Sequence, residues 1–334
     1  MPPVGEHKRA AAGTMAPPDT AADDDGSATA FIVLAVFCTM IGWVVTITTI
    51  AQHFGHWNKP EHQKIIVKML VLVIIWSTFS LFVVIQPSMK PLTQVAMDSY
   101  EAYILVQFMS LMTVYLGGPK AIFDIVDKMP PYRILVCIHI KPAKRTIYIM
   151  RFLVYQFAVV KPVLSLARCA LSYYSYYAEL GKDFESLFAL FRIVTLVSLV
   201  FAMMGLLMFY KAFYEGLRPY KVGVKFAAMK LFIFLHLAQA MIFGLFEEED
   251  GSNYYYLVRI EYFVVCLEMA LASIANKYAV FTYREFTEEE APKKPWIEYF
   301  RMDDARLNEW KLNLSSHHLN RQDSLVIDGS IPHV

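Results

Sequence analysis

Charged residues are scarce in this chain. Of its 334 residues only 18% are Asp, Glu, Lys or Arg, while 57% are hydrophobic and 15% aromatic. A soluble globular domain carries about a quarter charged residues, so the balance points to a polytopic membrane protein. The formal net charge of +1 leaves no basic surface for a nucleic acid. Cysteine is as sparse: Cys38, Cys137, Cys169 and Cys266 lie far apart. No CxxC or Cys/His ligand spacing occurs, which excludes a disulfide framework and a zinc site of the usual kind. GxSxG, HExxH, P-loop and GxGxxG patterns are also missing, so nothing supports hydrolase, nucleotide or dinucleotide chemistry. The chain reads as a non-enzyme without a cofactor.

Further absences narrow the class. The apolar runs lack the alternation of an outer-membrane barrel. There is no DRY or NPxxY motif, against a heterotrimeric G-protein receptor. A retinal protein would want a lysine midway along the last span, where Glu268 stands instead and Lys277 sits at the inner end. His53, His56 and His62 in HFGHWNKPEHQ have H-x-x-H spacing, but only Glu61 accompanies them. They are read as interfacial histidines, and no metal site is assigned.

What is present is a set of seven apolar segments, at residues 29–51, 65–85, 98–115, 147–171, 186–210, 226–246 and 255–278. Each approaches the roughly 20 residues that a spanning helix needs, although the third is short and the fourth carries charges. The expected architecture is all-α, a polytopic bundle of seven transmembrane helices over residues 29–282. Residues 1–28, rich in Ala, Pro, Asp and Gly, read as a disordered extracytoplasmic leader. Residues 283–334 read as a cytoplasmic tail, helical in part over 296–314 and then disordered.

Loop charge sets the orientation. Lys59 and Lys64 mark the first connection. Lys120, Lys128, Arg133, Lys141, Lys144 and Arg145 mark the third, and Lys211, Arg218, Lys221 and Lys225 the fifth. The second and fourth offer only Lys90 and Lys182, and the sixth carries Glu247, Glu248, Glu249 and Asp250. The positive-inside rule then puts the odd connections and the C-terminus in the cytoplasm and the N-terminus outside. In the third connection, YRILVCIHIKPAKR is too short to cross and is read as an interfacial helix. Its Cys137 is either a palmitoylation site or an unmodified thiol.

Polar residues inside greasy segments carry the functional reading, because each costs free energy in hydrocarbon unless it faces protein, water or a partner. In residues 217–246, Lys225, His236 and Gln239 fall within an arc of about 60° on a helical wheel. At a rise of about 1.5 Å per residue, Lys161 and Glu268 lie about 20 and 15 Å from their cytoplasmic ends, level with His236 and Gln239. Two layers are expected: a central one of Lys161, His236, Gln239 and Glu268, and an outer one of Glu101, Arg168 and Arg192. On one reading Lys161 and Arg192 attract an anionic headgroup, with Phe152, Tyr155, Tyr173 and Tyr174 against its apolar body. On the other, Lys161–Glu268 and Arg192–Glu101 are structural ion pairs that fix helix register.

Several stretches fit one known pattern: WNKPEHQKIIVKML, DSYEAYILVQFMSLMTVYLGG, QFAVVKP, LRPYKVGVKFAAMKLFIFLHLAQ and CLEMALASIANKYAVFTY. In this order the chain resembles the organic solute transporter alpha family, and more closely its transmembrane protein 184 branch. The resemblance implies seven spans, an outside N-terminus and facilitated, ion-independent movement of amphipathic organic anions such as steroid conjugates. Positions matching the family's recurrent residues are Glu101, Gly117, Gly118, Gln156, Lys161, Pro162, Lys225, Phe226, Lys230, Gln239, Glu268 and Tyr278. The alpha-type transporters work with a small single-span partner and carry a cysteine-rich segment after the third span, where this chain has only Cys137.

The expectation is therefore a transporter that moves steroid- or lipid-like anions by facilitated diffusion. Its expected substrate-binding residues are Glu101, Gln156, Lys161, Arg192, His236, Gln239 and Glu268. Expected partners are membrane lipid, the amphipathic organic anion, a second copy in a homodimer and a single-span accessory subunit. The expected location is the plasma membrane or an endosomal or vacuolar membrane. The rival expectation is a receptor or trafficking scaffold that conducts no solute.

Overall fold

The computed structural model describes residues 25–126, 132–135, 138–140, 144–178, 185–246 and 254–286. Residues 1–24 of the expected leader, Cys137 and the tail stretch 296–314 lie outside these residues, whereas residues 25–28, expected to be disordered, form the first turn of a helix.

The long helices are α1 (Asp25–Gly55), α2 (Pro60–Ile85), α3 (Lys90–Tyr115), α5 (Lys144–Ala178), α6 (Glu185–Ala212), α8 (Val222–Leu245) and α9 (Tyr254–Ala275). Short helices α4 (Gly118–Val126) and α7 (Tyr214–Leu217) join them. Proline sits in the first turn of α2 and of α3, where its fixed φ suits a helix start and its missing N–H is no loss. The third helix thus begins at Lys90, about 12 Å of helix before the expected start at residue 98. It ends where Gly117 and Gly118 adopt φ of 86° and 91°, a left-handed conformation that a Cβ would oppose. The chain there turns by 68° from α3 into α4, which buries Ile122 and Val126 against the bundle.

One expectation is overturned. The run expected to form an interfacial helix contains an antiparallel strand pair instead, β1 (Tyr132–Leu135) with β2 (Ile138–Ile140). Tyr132 pairs with Ile140 and Arg133 with His139. The β-branched and aromatic residues of this run suit a pleated ribbon, and a short apolar run does not declare its period.

Among the described residues four helices are long and apolar enough to cross a membrane: Ala28–Gly55, Pro60–Ile85, Lys144–Tyr174 and Ser186–Ala212. The bent pair Pro87–Tyr115 with Gly118–Val126 makes a fifth if taken as one span. Helices α8 and α9 have 24 and 22 residues, about 36 and 33 Å of rise, and α9 carries Arg259, Glu261 and Glu268. Large apolar side chains such as Phe37, Phe152, Val159 and Leu271 project outward. That is the surface of a multi-pass membrane protein, in which lipid takes the place of water around an apolar exterior.

Packing falls into two clusters. Leu70, Leu105, Phe108, Met150, Phe157 and Phe209 centre one among α2, α3, α5 and α6. Ala35, Trp76, Tyr262 and Cys266 centre the other among α1, α2 and α9. Association in lipid depends on close packing, and Gly205 shows how close. A Cβ there would lie 2.7 Å from the Met150 carbonyl oxygen and 3.0 Å from the Leu153 Cβ.

Candidate functional site

A buried charge cluster joins α3 to α5. Asp98 and Glu101 lie three residues apart on one face of α3, and Lys161, Ser165 and Arg168 share a face of α5 at spacings of four and three. Lys161 Nζ lies 2.7 Å from Glu101 Oε2 and 3.3 Å from Asp98 Oδ1. Ser165 Oγ donates to Asp98 Oδ2 at 2.7 Å, and Gln94 Nε2 donates to Asp98 Oδ1 at 3.0 Å. Arg168 Nη2 stands 3.8 Å from Asp98 Oδ2. The Tyr262 hydroxyl of α9 donates to Gln94 Oε1 at 2.6 Å. Both carboxyls are about 95% buried and the Lys161 side chain is 10% exposed. Two carboxylates against one ammonium and one guanidinium leave the cluster formally neutral. That neutrality is what makes charge at this depth tolerable.

A second polar group links α8 to α9. Gln239 Nε2 donates to Glu268 Oε1, while Gln239 Oε1 and Glu268 Oε2 are buried with no hydrogen-bond partner among the described residues. The His236 ring stands edge-on to Trp76 at 4.9 Å, and its Nδ1 is likewise unsatisfied. The polar stripe of α8 thus faces inward, with Lys225 and Gln239 both buried. Unsatisfied polar atoms in a dry interior cost free energy, so three on adjacent helices mark a place where a polar ligand or water would gain most.

The expected layers are redistributed. Lys161 pairs with Glu101 and Asp98, so the Lys161–Glu268 pair does not form. Arg192 is exposed on α6, and Glu101 takes Lys161 in its place. Gln156 staples α5 to α6: it donates to the Ser198 carbonyl at 2.9 Å and accepts from the Ser198 hydroxyl at 2.8 Å. Phe152, Tyr155 and Tyr174 lie on the outer surface.

At the end bearing the basic connections, Lys225 is 1% exposed. Its Nζ reaches both Glu285 oxygens at 2.8 and 2.9 Å, the Tyr220 carbonyl at 2.9 Å and the Tyr115 hydroxyl at 3.3 Å. Nearby, His53 Nε2 meets the Phe281 carbonyl at 2.9 Å, and Asn58 Nδ2 donates to the Phe286 carbonyl. Residues 281–286 are thereby strapped across the ends of α1, α2, α3 and α8. At the opposite end, Lys90 pairs with Glu261 at 2.9 Å.

The family model described as organic solute transporter Ostalpha matches residues 31–286. This chain belongs to that family. A transmembrane protein 184 homolog from Dictyostelium discoideum is 27% identical over 261 residues, covering 74% of this chain and 51% of that relative. The chain therefore spans about half the length of that curated relative. No solved structure matches. Five of the positions that the sequence resemblance singles out meet in three places. Glu101 and Lys161 build the charge cluster, Gln239 and Glu268 the α8–α9 pair, and Lys225 the strap. The Lys230 side chain lies outside the described residues. Sequence reasoning missed Asp98, Ser165, Gln94 and Tyr262. The i, i+3 spacing of Asp98 and Glu101 was the signal that could have found the first.

Proposed function

We propose that this chain is a passive carrier for amphipathic organic solutes of the steroid- or lipid-like anion class. It threads the membrane seven times, through α1, α2, α3, α5, α6, α8 and α9, with the N-terminus outside and the C-terminus cytoplasmic. Membership of the Ostalpha family carries this reading. The threading draws support from the two ends of the bundle. His53, Asn58, Tyr115, Tyr220, Lys225 and Glu285, from the first, third and fifth connections and the tail, gather at one end, while Lys90 and Glu261 meet at the other.

In this proposal the solute's charge engages Lys161 by exchange with Glu101, since the ammonium already holds two carboxylates, and its polar groups use His236, Gln239 and Glu268. The apolar body stays against lipid and the outward aromatic side chains of α5. A single-span accessory subunit or a second copy would cover part of the apolar exterior. The test is uptake of a labelled steroid sulfate into vesicles with and without the protein. Saturable, protein-dependent flux is expected, and equal flux in both preparations would remove the proposal.

A further inference from the structure

At the basic end of the bundle α9 does not finish as an ordinary helix. Residues Asn276–Val280 form a π-helical turn, closed by the Phe281 amide donating to the Asn276 carbonyl at 2.9 Å. Such wide turns are uncommon and recur at functional sites. Beside it lies a cavity of about 240 Å³ lined by Gln52, Lys277, Tyr278, Thr282, Tyr283 and Arg284.

Among the described residues its lining carries one sign of charge: Lys277 and Arg284, with three hydroxyls and an amide and no carboxylate. Glu285, next in the chain, is turned away to Lys225. Lys277 Nζ is held 3.3 Å from Thr48 Oγ1 and 5.8 Å from the Tyr278 ring centroid. Gln52 adds an acceptor, because its Oε1 is buried with no hydrogen-bond partner among the described residues. Cations and hydroxyl donors suit a phosphate, and a lone acceptor beside them suits a donor on the same ligand.

Size and surroundings select the rest of the ligand. Pockets for whole drug-sized solutes start at about 300 Å³, so this cavity takes a headgroup and not the body attached to it. Leu267, Leu271, Ile274 and Tyr278, at spacings of four, three and four, form an outward apolar stripe on α9 that leads to the cavity. Tyr278 itself is 70% exposed. A stripe of this kind is where acyl chains lie when their phosphate sits at the helix end.

We propose that this cavity is a binding site for an anionic phospholipid whose headgroup carries a hydrogen-bond donor, as in phosphatidylserine or phosphatidylinositol. Lys277 and Arg284 take the phosphate and Gln52 the donor. The site is separate from the Lys161 cluster and does not rest on the transport reading.

The test uses the full chain in detergent, offered equal amounts of phosphatidylserine and phosphatidylcholine, with retained lipid counted by native mass spectrometry. Wild type is expected to keep phosphatidylserine preferentially. Lys277→Gln with Arg284→Gln should weaken that retention about 30-fold, from about 1 kcal/mol per basic residue near a membrane surface. Lys120→Gln, an exposed lysine that does not line the cavity, should leave retention unchanged. Arg284→Gln alone, at an exposed side chain, serves if the double variant melts early. Equal retention of both lipids, or unchanged retention in the variants, overturns the site. If inorganic phosphate displaces the bound lipid and stabilises the protein as well as phosphatidylserine does, the cavity holds free phosphate and the lipid assignment is wrong.

Discussion

Lys161 on α5 and Glu101 on α3 meet at 2.7 Å, with side chains 10% and 5% exposed. The pair, shared with Asp98 at 3.3 Å, ties two helices together where water cannot compensate either charge. Breaking such a pair by removing one partner costs about 3–5 kcal/mol, because the other charge is left buried and alone. Lys161→Met should therefore destabilise the protein by that much in a detergent melting experiment. Adding Glu101→Gln to Lys161→Met should recover part of the loss, and a strictly additive double variant would show that the two residues are not coupled.

The strap at the basic end predicts an asymmetry. Glu285 is 22% exposed and Lys225 1%, so each partner is left differently when the other is removed. Glu285→Ala strands a buried ammonium and should cost about 3 kcal/mol. Lys225→Met leaves a carboxylate that water can reach and should cost about 1 kcal/mol. Thermal melts of the two variants give the order directly.

Close helix approach predicts a third effect. Gly205→Val places atoms where the Met150 carbonyl already sits 2.7 Å from an added Cβ, and overpacking of this sort costs about 1–3 kcal/mol. Gly55→Ala, with nothing within 4 Å of the added atom, is the matching control. Its melting point should stay at the wild-type value.

The α8–α9 pair separates a structural role from a functional one. Gln239→Leu alone strips Glu268 of its hydrogen-bond donor and should cost about 1–3 kcal/mol. Gln239→Leu with Glu268→Leu should melt close to wild type, since no polar atom of the pair remains to be satisfied. If these residues hold the solute's polar groups, the double variant keeps its fold and loses flux. Unaltered flux in a well-folded double variant would leave them as structural residues.

Much of this arrangement was legible in the sequence, and the failures share a cause. Gly117-Gly118 announced the end of α3, and the Lys225–His236–Gln239 stripe announced the inward face of α8, because both signals are local. Partner choice was not local. Depth along each helix put Lys161 level with Glu268, but which helices stand side by side is set by packing, and α3 faces α5 at that level. The start of α3 was missed because Lys90-Pro91 reads as loop until proline is placed at a helix N-terminus. The β1–β2 pair was missed because Tyr132–Leu135 is too short to distinguish period 2 from 3.6.

The most direct measurement is trans-stimulated exchange of a labelled steroid sulfate in proteoliposomes, with no ion gradient imposed. Vesicles preloaded with unlabelled sulfate should take up label faster than empty ones. Lys161→Met, in preparations that still melt cooperatively, should abolish the stimulation. Uptake that ignores preloading and matches protein-free liposomes would contradict a carrier built around Lys161.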